Sequence, residues 1–299
     1  MNDRHDTDLL VVGAGPAGCA AALMAASLGM RTLVVEPGRV GGKLHAIPAL
    51  ENVPGAWRDG PALAQALAAD LARVQQDGRC ALVAERAVGV AGHPGHAEVR
   101  LADGRVLAAD AVVVATGVTE VGPGHTAWTR ASPDLSPPPL WRARPDELSG
   151  DTYVLGGDRP LGTWLRAHPA APHTLHVLYP PADAYKVREV ARDTRVRLVP
   201  VEHVTVRRDG RGYLLETRTA EGERVHRADT LLGNLGGRPA VLDGLSRNAD
   251  GYCPPGDQHP RILTAGDLRS SRFQRVATAQ GSGAEAALTW YYRTALPRE

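Results

Sequence analysis

Gly13, Gly15 and Gly18 stand in G-x-G-x-x-G spacing, and a carboxylate, Glu36, follows. Together these residue types suit one task, the holding of a dinucleotide. Gly13 permits a tight turn, Gly15 lets a pyrophosphate approach the backbone, and Gly18 lets a helix pack closely. A helix opening at Pro16-Ala17 turns free N–H groups and a positive dipole end toward the phosphates. Glu36 is placed to accept from ribose hydroxyls. Other reactive residues are sparse. Cys19, Cys80 and Cys253 are far apart with no C-x-x-C. That argues against a disulfide framework or a zinc site, and no metal centre is predicted. His45, His125 and His203 have no carboxylate at a telling spacing, so the catalytic residues stay unknown.

The glycine motif needs a strand before it and a helix after it. Leu9-Leu10-Val11-Val12 is a short, partly β-branched apolar run, which reads as a buried parallel strand. An Ala-rich helix is predicted from Pro16 to about Leu28, and a second strand from Arg31 to Val35. Gly41-Gly42 then lies in a loop, Pro37 to Lys43, where a flat ring could pass near the backbone. Glu51 to Gly55 reads as a turn. Leu63, Leu67, Leu71 and Val74 predict an amphipathic helix over 61–74. A meander is predicted from Cys80–Glu85, Ala97–Leu101 and Val106–Ala108, turning at Asp103-Gly104. An apolar strand, Ala111–Ala115, ends in Thr116-Gly117. Prolines then cluster between Val118 and Gly150, which reads as a crossing into a second domain. A second βαβ unit begins at Thr152: a strand, a helix near Leu161–Ala167, and a strand at Leu175–Tyr179. Strands at Arg197–Val201, His203–Arg207, Tyr213–Thr219 and Arg224–Arg227 read as another meander. A last strand, Arg261–Ala265, precedes a final helix over about Val276–Tyr292.

Composition sets outer bounds. The 299 residues suit about two domains, and 43% hydrophobic content is ample for their cores. A formal charge of +1 argues against nucleic acid or a membrane surface as partner. No run approaches the ~18 apolar residues of a membrane span. The polar lead MNDRHDTD enters the first strand directly, so no signal peptide is predicted. Three scattered cysteines fit a reducing cytoplasm.

Taken together, these motifs resemble the low-molecular-weight thioredoxin reductase group of flavoproteins, over essentially the whole chain. The marks are Gly13/Gly15/Gly18 with Glu36, Gly41-Gly42-Lys43-Leu44, Glu51-Asn52-Val53-Pro54-Gly55, Ala115-Thr116-Gly117 and Ala265-Gly266-Asp267. The resemblance implies an α/β fold of two Rossmann-like nucleotide-binding domains, each with three ββα layers. It implies a discontinuous FAD-binding domain, 1–117 with 233–299, around an inserted, degenerate NAD(P)-binding-like domain, 118–232. Its implied FAD contacts are Gly13, Gly15, Pro16, Ala17, Gly18, Glu36, Pro37, Gly42, Lys43, Leu44, Asn52, Ala115, Thr116, Gly117, Gly266, Asp267, Arg275, Val276 and Ala277. Asp267 would face the ribityl-phosphate side. The start of the last helix would face the pyrimidine edge, where reduced flavin carries negative charge. A homodimer is implied as well.

Two departures qualify the resemblance. The family's dithiol falls between the Ala-Thr-Gly strand end and the second nucleotide motif, yet Val118–Asp151 contains no cysteine. The second motif, Gly156-Gly157-Asp158-Arg159-Pro160-Leu161, has Asp and Leu at two places that need small residues. Tyr179-Pro180-Pro181 supplies no cation for a 2′-phosphate. The expectation is an FAD-dependent oxidoreductase without a redox dithiol, poorly reduced by NAD(P)H and served by an electron-carrier protein or by its substrate. The alternatives are an FAD-binding sensor or partner protein without turnover, and an NAD(P)H-dependent flavin- or ferredoxin-type reductase.

Overall fold

A computed structural model describes residues 7–295. Most of the polar N-terminal lead, residues 1–6, lies outside the described residues, as do residues 296–299. The chain runs β1 (Leu9–Val12), α1 (Pro16–Ser27), β2 (Thr32–Val35), α2 (Gly60–Gln76), β3 (Cys80–Val83), β4 (Ala87–Gly92), β5 (Ala97–Leu101), β6 (Val106–Ala109) and β7 (Ala111–Val114). After β8 (Val118–Glu120) come β9 (Thr129–Ala131), β10 (Thr152–Leu155), α3 (Pro160–Ala167), β11 (Leu175–Tyr179) and β12 (Val196–Pro200). Then follow β13 (His203–Asp209), β14 (Gly212–Thr219), β15 (Gly222–Ala228) and β16 (Thr230–Gly233). The path returns through β17 (Gly237–Pro239) to β18 (Ile262–Thr264) and α4 (Val276–Ala295). Strands β8 and β17 pair with each other.

One compact unit extends up to Thr119 and resumes at Arg238; the other is Glu120–Gly237. The first is built on a parallel sheet in the order β18-β7-β1-β2-β3. Period-2 alternation divides its core. Leu9, Val11, Ala111 and Val113 point into a cluster shared with the three helices. Leu10, Val12, Val112 and Val114 point to the other face, against the β4-β5-β6 meander. The result is three ββα layers.

Helix α2 follows its amphipathic pattern. Leu63, Leu67, Leu71 and Val74 are buried, and Asp59 caps the helix by accepting from the Ala62 N–H at 2.8 Å. Each such leucine contributes about 1.5–3 kcal/mol by leaving water. Helix α1 is small-residued for a different reason: backbone touches it on two sides. A Cβ on Gly18 would lie 1.7 Å from the Gly13 carbonyl oxygen. One on Gly283 of α4 would lie 1.9 Å from the Ala17 carbonyl oxygen. Only glycine allows this approach, and it brings α4 against the start of α1.

The second unit repeats the plan with a parallel sheet, β12-β11-β10-β16, and a second sheet, β15-β14-β13-β9. Val154, Leu175, Val177 and Leu232 pack with Leu161, Trp164 and Leu165 of α3. Tyr153, Leu155, Leu178 and Leu231 pack on the other sheet.

Several elements differ from the sequence expectation. Cys80–Val83 is no meander strand; it pairs parallel with β2 at the edge of the main sheet. Likewise β12 pairs parallel with β11 rather than leading the second meander. Strands β4, β8, β9, β16 and β17 are additional. The units divide after Thr119 and Gly237, where the sequence motifs suggest Gly117 and a return at 233. The difference arises because β16 completes the second parallel sheet and the chain turns back only after it.

Candidate functional site

At the end of β1 the backbone must turn sharply. Gly13 adopts φ +99°, and its N–H donates to the Val35 carbonyl at 2.8 Å. A Cβ there would sit 2.6 Å from the Ala115 carbonyl oxygen. Gly15 differs: a Cβ on it would meet nothing within 4 Å. Gly13 and Gly18 are therefore glycines because protein surrounds them, whereas Gly15 faces open space beside the first turn of α1. Pro16 takes the first helical position, where a missing N–H costs nothing.

A loop folds over this turn. The Gly41 N–H donates to the Ala14 carbonyl at 2.7 Å, and a Cβ on Gly42 would lie 3.9 Å from the Gly15 Cα. Glu36 ties turn and loop together. Its carboxylate accepts from the Ala14 N–H and the Gly38 N–H, both at 2.8 Å. Two backbone amides hold the oxygens in place and leave lone pairs for further donors. At the end of β7, Thr116 donates its hydroxyl to the Ala240 carbonyl at 2.6 Å. Gly117, at φ +68°, borders open space.

The third wall comes from the far end of the sequence. Gly266 adopts φ +69°, and its N–H donates to the Ser282 hydroxyl at 2.8 Å. Asp267 follows. Its half-buried carboxylate accepts no hydrogen bond among the described residues. Burial pushes this carboxyl above the ordinary range, while the charges of Lys43 and Arg275 pull it back. Gln274 pins the loop by donating to the Ser270 carbonyl at 2.9 Å and the Asp267 carbonyl at 3.3 Å. Thr278 accepts from the Arg275 N–H at 3.1 Å at the start of α4.

The raised carboxyl makes a prediction about pH. The folded chain favours protonated Asp267, whereas the unfolded chain ionises it at the ordinary value of 3.8. Stability of the cofactor-free protein therefore falls as pH rises from that value through the raised one. Asp267→Asn removes this dependence. Its thermal midpoint should exceed the parent's at about pH 7 and match it at about pH 3, where both side chains are neutral. Scanning fluorimetry at the two pH values measures it; an equal offset at both would contradict the assignment.

The glycines, Glu36, Thr116, Lys43, Asp267 and Arg275 thus belong to one unit and one region. Several other expected residues contribute differently. Leu44 is buried in the helix-side core, so its side chain anchors the loop and does not face a ligand. Ala17 and Ala115 are also buried, leaving only their backbone to act. Pro37, Asn52 and Ala277 are exposed, and Val276 is half-buried. The Arg275 guanidinium donates to the Gln274 carbonyl at 2.7 Å. Sequence reasoning passed over Ser282, Gln274 and Thr278. Their signal was weak: polar residues spaced around the start of a helix.

All three cysteines are buried free thiols. Burial pushes Cys19 up to about 12 and Cys80 up to about 11, and it raises Cys253 as well. Cys19 donates to the Ala14 carbonyl at 3.2 Å. None of them is a nucleophilic thiolate near neutral pH.

In the corresponding turn of the second unit Gly156, at φ +98°, matches Gly13, and Asp158 stands at the place of Gly15. Gly157 matches the buried Ala14, and a Cβ on it would lie 2.3 Å from Val187 Cγ1 in the core. The buried Asn234 amide donates to the Gly156 and Asp158 carbonyls at 3.1 and 2.8 Å. The Leu161 N–H, in the first turn of α3, donates to the Asp158 carbonyl at 3.1 Å. A Cβ on Gly162 would meet the Glu189 carboxylate at 2.4 Å. Pro160 occupies the first turn of α3, where proline is well tolerated.

This geometry defines a class: two Rossmann-like units, the first with an open glycine turn at the start of its first helix. Residues 7–127 match the family of pyridine nucleotide-disulphide oxidoreductases. The fold is thioredoxin reductase-like. It matches thioredoxin reductase of Lactococcus lactis with a TM-score of 0.76 at 19% identity, covering 96% of this chain and 98% of that one. The resemblance drawn from the sequence is borne out in both respects. An NADH dehydrogenase of Ferdinandcohnia aciditolerans is 27% identical over 314 residues, covering 96% of this chain and 57% of that protein. A mitochondrial thioredoxin reductase of Arabidopsis thaliana is 24% identical over 324 residues, covering 96% of this chain and 83% of that protein. The chain thus spans little more than half the length of the first of these two relatives. Among the described residues, no helix is long and apolar enough to cross a membrane.

Proposed function

We propose that this chain is an FAD-dependent oxidoreductase without a redox dithiol, supplied with electrons by something other than a pyridine nucleotide. The observation that carries the reading is the contrast between two turns. At Gly15 a Cβ would meet open space, whereas the second turn carries the Asp158 carboxylate at the matching position.

The residues present suit FAD. The Gly13–Gly18 turn and the first turn of α1 would take the pyrophosphate, and Glu36 the adenosine ribose. Asp267, with no donor of its own, suits a ribityl hydroxyl. Arg275 and the start of α4 bring positive potential suited to the pyrimidine edge. When bound, the flavin supplies the redox chemistry, accepting and releasing electrons. The chain supplies position and charge. No thiol assists, since burial keeps all three cysteines protonated. A cytoplasmic homodimer exchanging electrons with a small carrier protein or directly with its substrate fits this reading.

The purified protein should be yellow, and added FAD should raise its melting temperature. After reduction by dithionite, a competent acceptor should reoxidise it rapidly. A colourless protein that FAD does not stabilise would overturn cofactor binding. A yellow protein that no acceptor reoxidises would favour a flavin-binding sensor over an enzyme.

A further inference from the structure

We propose that His93, His96 and Glu98 form a binding site for a single divalent transition ion, with Zn²⁺ the best match. The site lies on the meander layer of the first unit, across the parallel sheet from the helices.

Backbone register creates it. Gly92 pairs with Ala97 and Ala91 with Glu98 across β4 and β5. Continuing that register sets His93 opposite His96, and the His93 N–H donates to the His96 carbonyl at 2.8 Å. Residues two apart on a strand share a face, so Glu98 joins the two histidines. Ala97 and Val99 take the other face and are fully buried. The three side chains therefore stand together on the outer face, beside the small Ala91.

Their atoms converge. His96 Nε2 lies 3.1 Å from one Glu98 oxygen, and His93 Nε2 lies 3.5 Å from the other. All three ligand atoms fall within 4.8 Å of one another. Ligands at the zinc distances of about 2.0–2.1 Å in a tetrahedron lie about 3.4 Å apart, so both carboxylate separations need little change. The rings stack at 4.6 Å with 23° between planes, which holds the two imidazoles side by side. His93 Nε2 is shielded from solvent, and its one polar neighbour among the described residues is the Glu98 carboxylate, at the long distance of 3.5 Å. A shielded nitrogen held so loosely gains from a closer partner.

The hairpin is also held in place. Arg261 donates to the Pro94 carbonyl at the turn, at 3.1 Å. The His259 ring packs on Gly92, where a Cβ would come within 2.2 Å of it. Two imidazoles and a carboxylate are the ligand set that suits zinc, and three protein ligands leave a fourth position for water or an added ligand.

The test is titration of the untagged full-length protein with zinc chloride, read by calorimetry and by competition with a chromophoric chelator. One ion should bind per chain in the micromolar range. His96→Gln and Glu98→Gln should each weaken it at least 10–100-fold, the loss expected even for a group that only supports a ligand. His173→Gln, on the second unit, should leave it unchanged. At 100 times the dissociation constant, zinc should raise the parent's melting temperature by about 4 °C and leave that of His96→Gln in place. Absence of stoichiometric binding, or binding that survives both substitutions, would overturn the site. Should either variant fold poorly, the cobalt-substituted parent decides. Its visible bands should be those of a tetrahedral nitrogen–oxygen site, and an octahedral aquo spectrum would refute the proposal.

Discussion

Gly15→Val yields a folded, colourless protein. A Cβ at Gly15 meets nothing within 4 Å, and the residue sits at φ −74° in extended backbone, which valine tolerates. The apoprotein therefore loses little stability. The added side chain fills the path along which a pyrophosphate would approach the first turn of α1. FAD affinity should fall by at least about 1000-fold, equivalent to about 4 kcal/mol. Gly13→Ala and Gly18→Ala provide the contrast. Their methyl groups would strike carbonyl oxygens at 2.6 and 1.7 Å, so they should lose the fold and the cofactor together. Absorbance of the purified protein and the melting temperature of each apoprotein separate the cases. A yellow Gly15→Val protein would place the pyrophosphate elsewhere.

NADPH should reduce the flavin of the proposed holoprotein very slowly, whereas dithionite should reduce it normally. Hydride transfer requires the nicotinamide within about 3–3.5 Å of its acceptor, and that geometry depends on anchoring the rest of the dinucleotide. Two carboxylates oppose anchoring here. Asp158 stands where a glycine is needed, and Glu189 brings another to the first turn of α3. Tyr179-Pro180-Pro181 offers no cation. Together they should weaken binding on the order of 10²–10⁴-fold. Stopped-flow absorbance at the flavin's visible band measures the rate. Asp158→Gly alone should recover little, because the Glu189 carboxylate remains. Adding Glu189→Gln should recover more. Rapid bleaching of the parent by micromolar NADPH would restore an ordinary NAD(P)H-dependent reductase.

What could be read from the chain depends on how locally each constraint is written. Gly13, Gly18 and Glu36 announce themselves because turn, close packing and carboxylate all act within one βαβ unit. Strands β3 and β12 were harder to place. Their short apolar runs look alike in a meander or at a parallel edge, and only the distant partners β2 and β11 decide. Strand β4, AVGVAG, is weakened as a signal by its two glycines. Leu44 lay within a familiar loop motif, yet one residue's rotation turns it into the core. Glu189 was invisible because the motif concerns residues 156–161, while this carboxylate arrives from a segment beyond β11. The three zinc-site residues were missed for a similar reason. Cysteine spacing pointed away from metal, and only cross-strand register makes neighbours of His93 and His96.

The approach of α4 to α1 through Gly283 also has a consequence for biosynthesis. A ribosome makes β1, α1 and β7 early, then the whole inserted unit, and only afterwards β18 and α4. At about 5–20 residues per second, the edge of β7 and the small-residue face of α1 wait on the order of 10–40 s for their partners. During that interval Asp267 and Ser282 do not yet exist, and the cradle has only its N-terminal wall. Capture of the proposed FAD by the complete site therefore belongs to the end of translation, after the inserted unit has emerged.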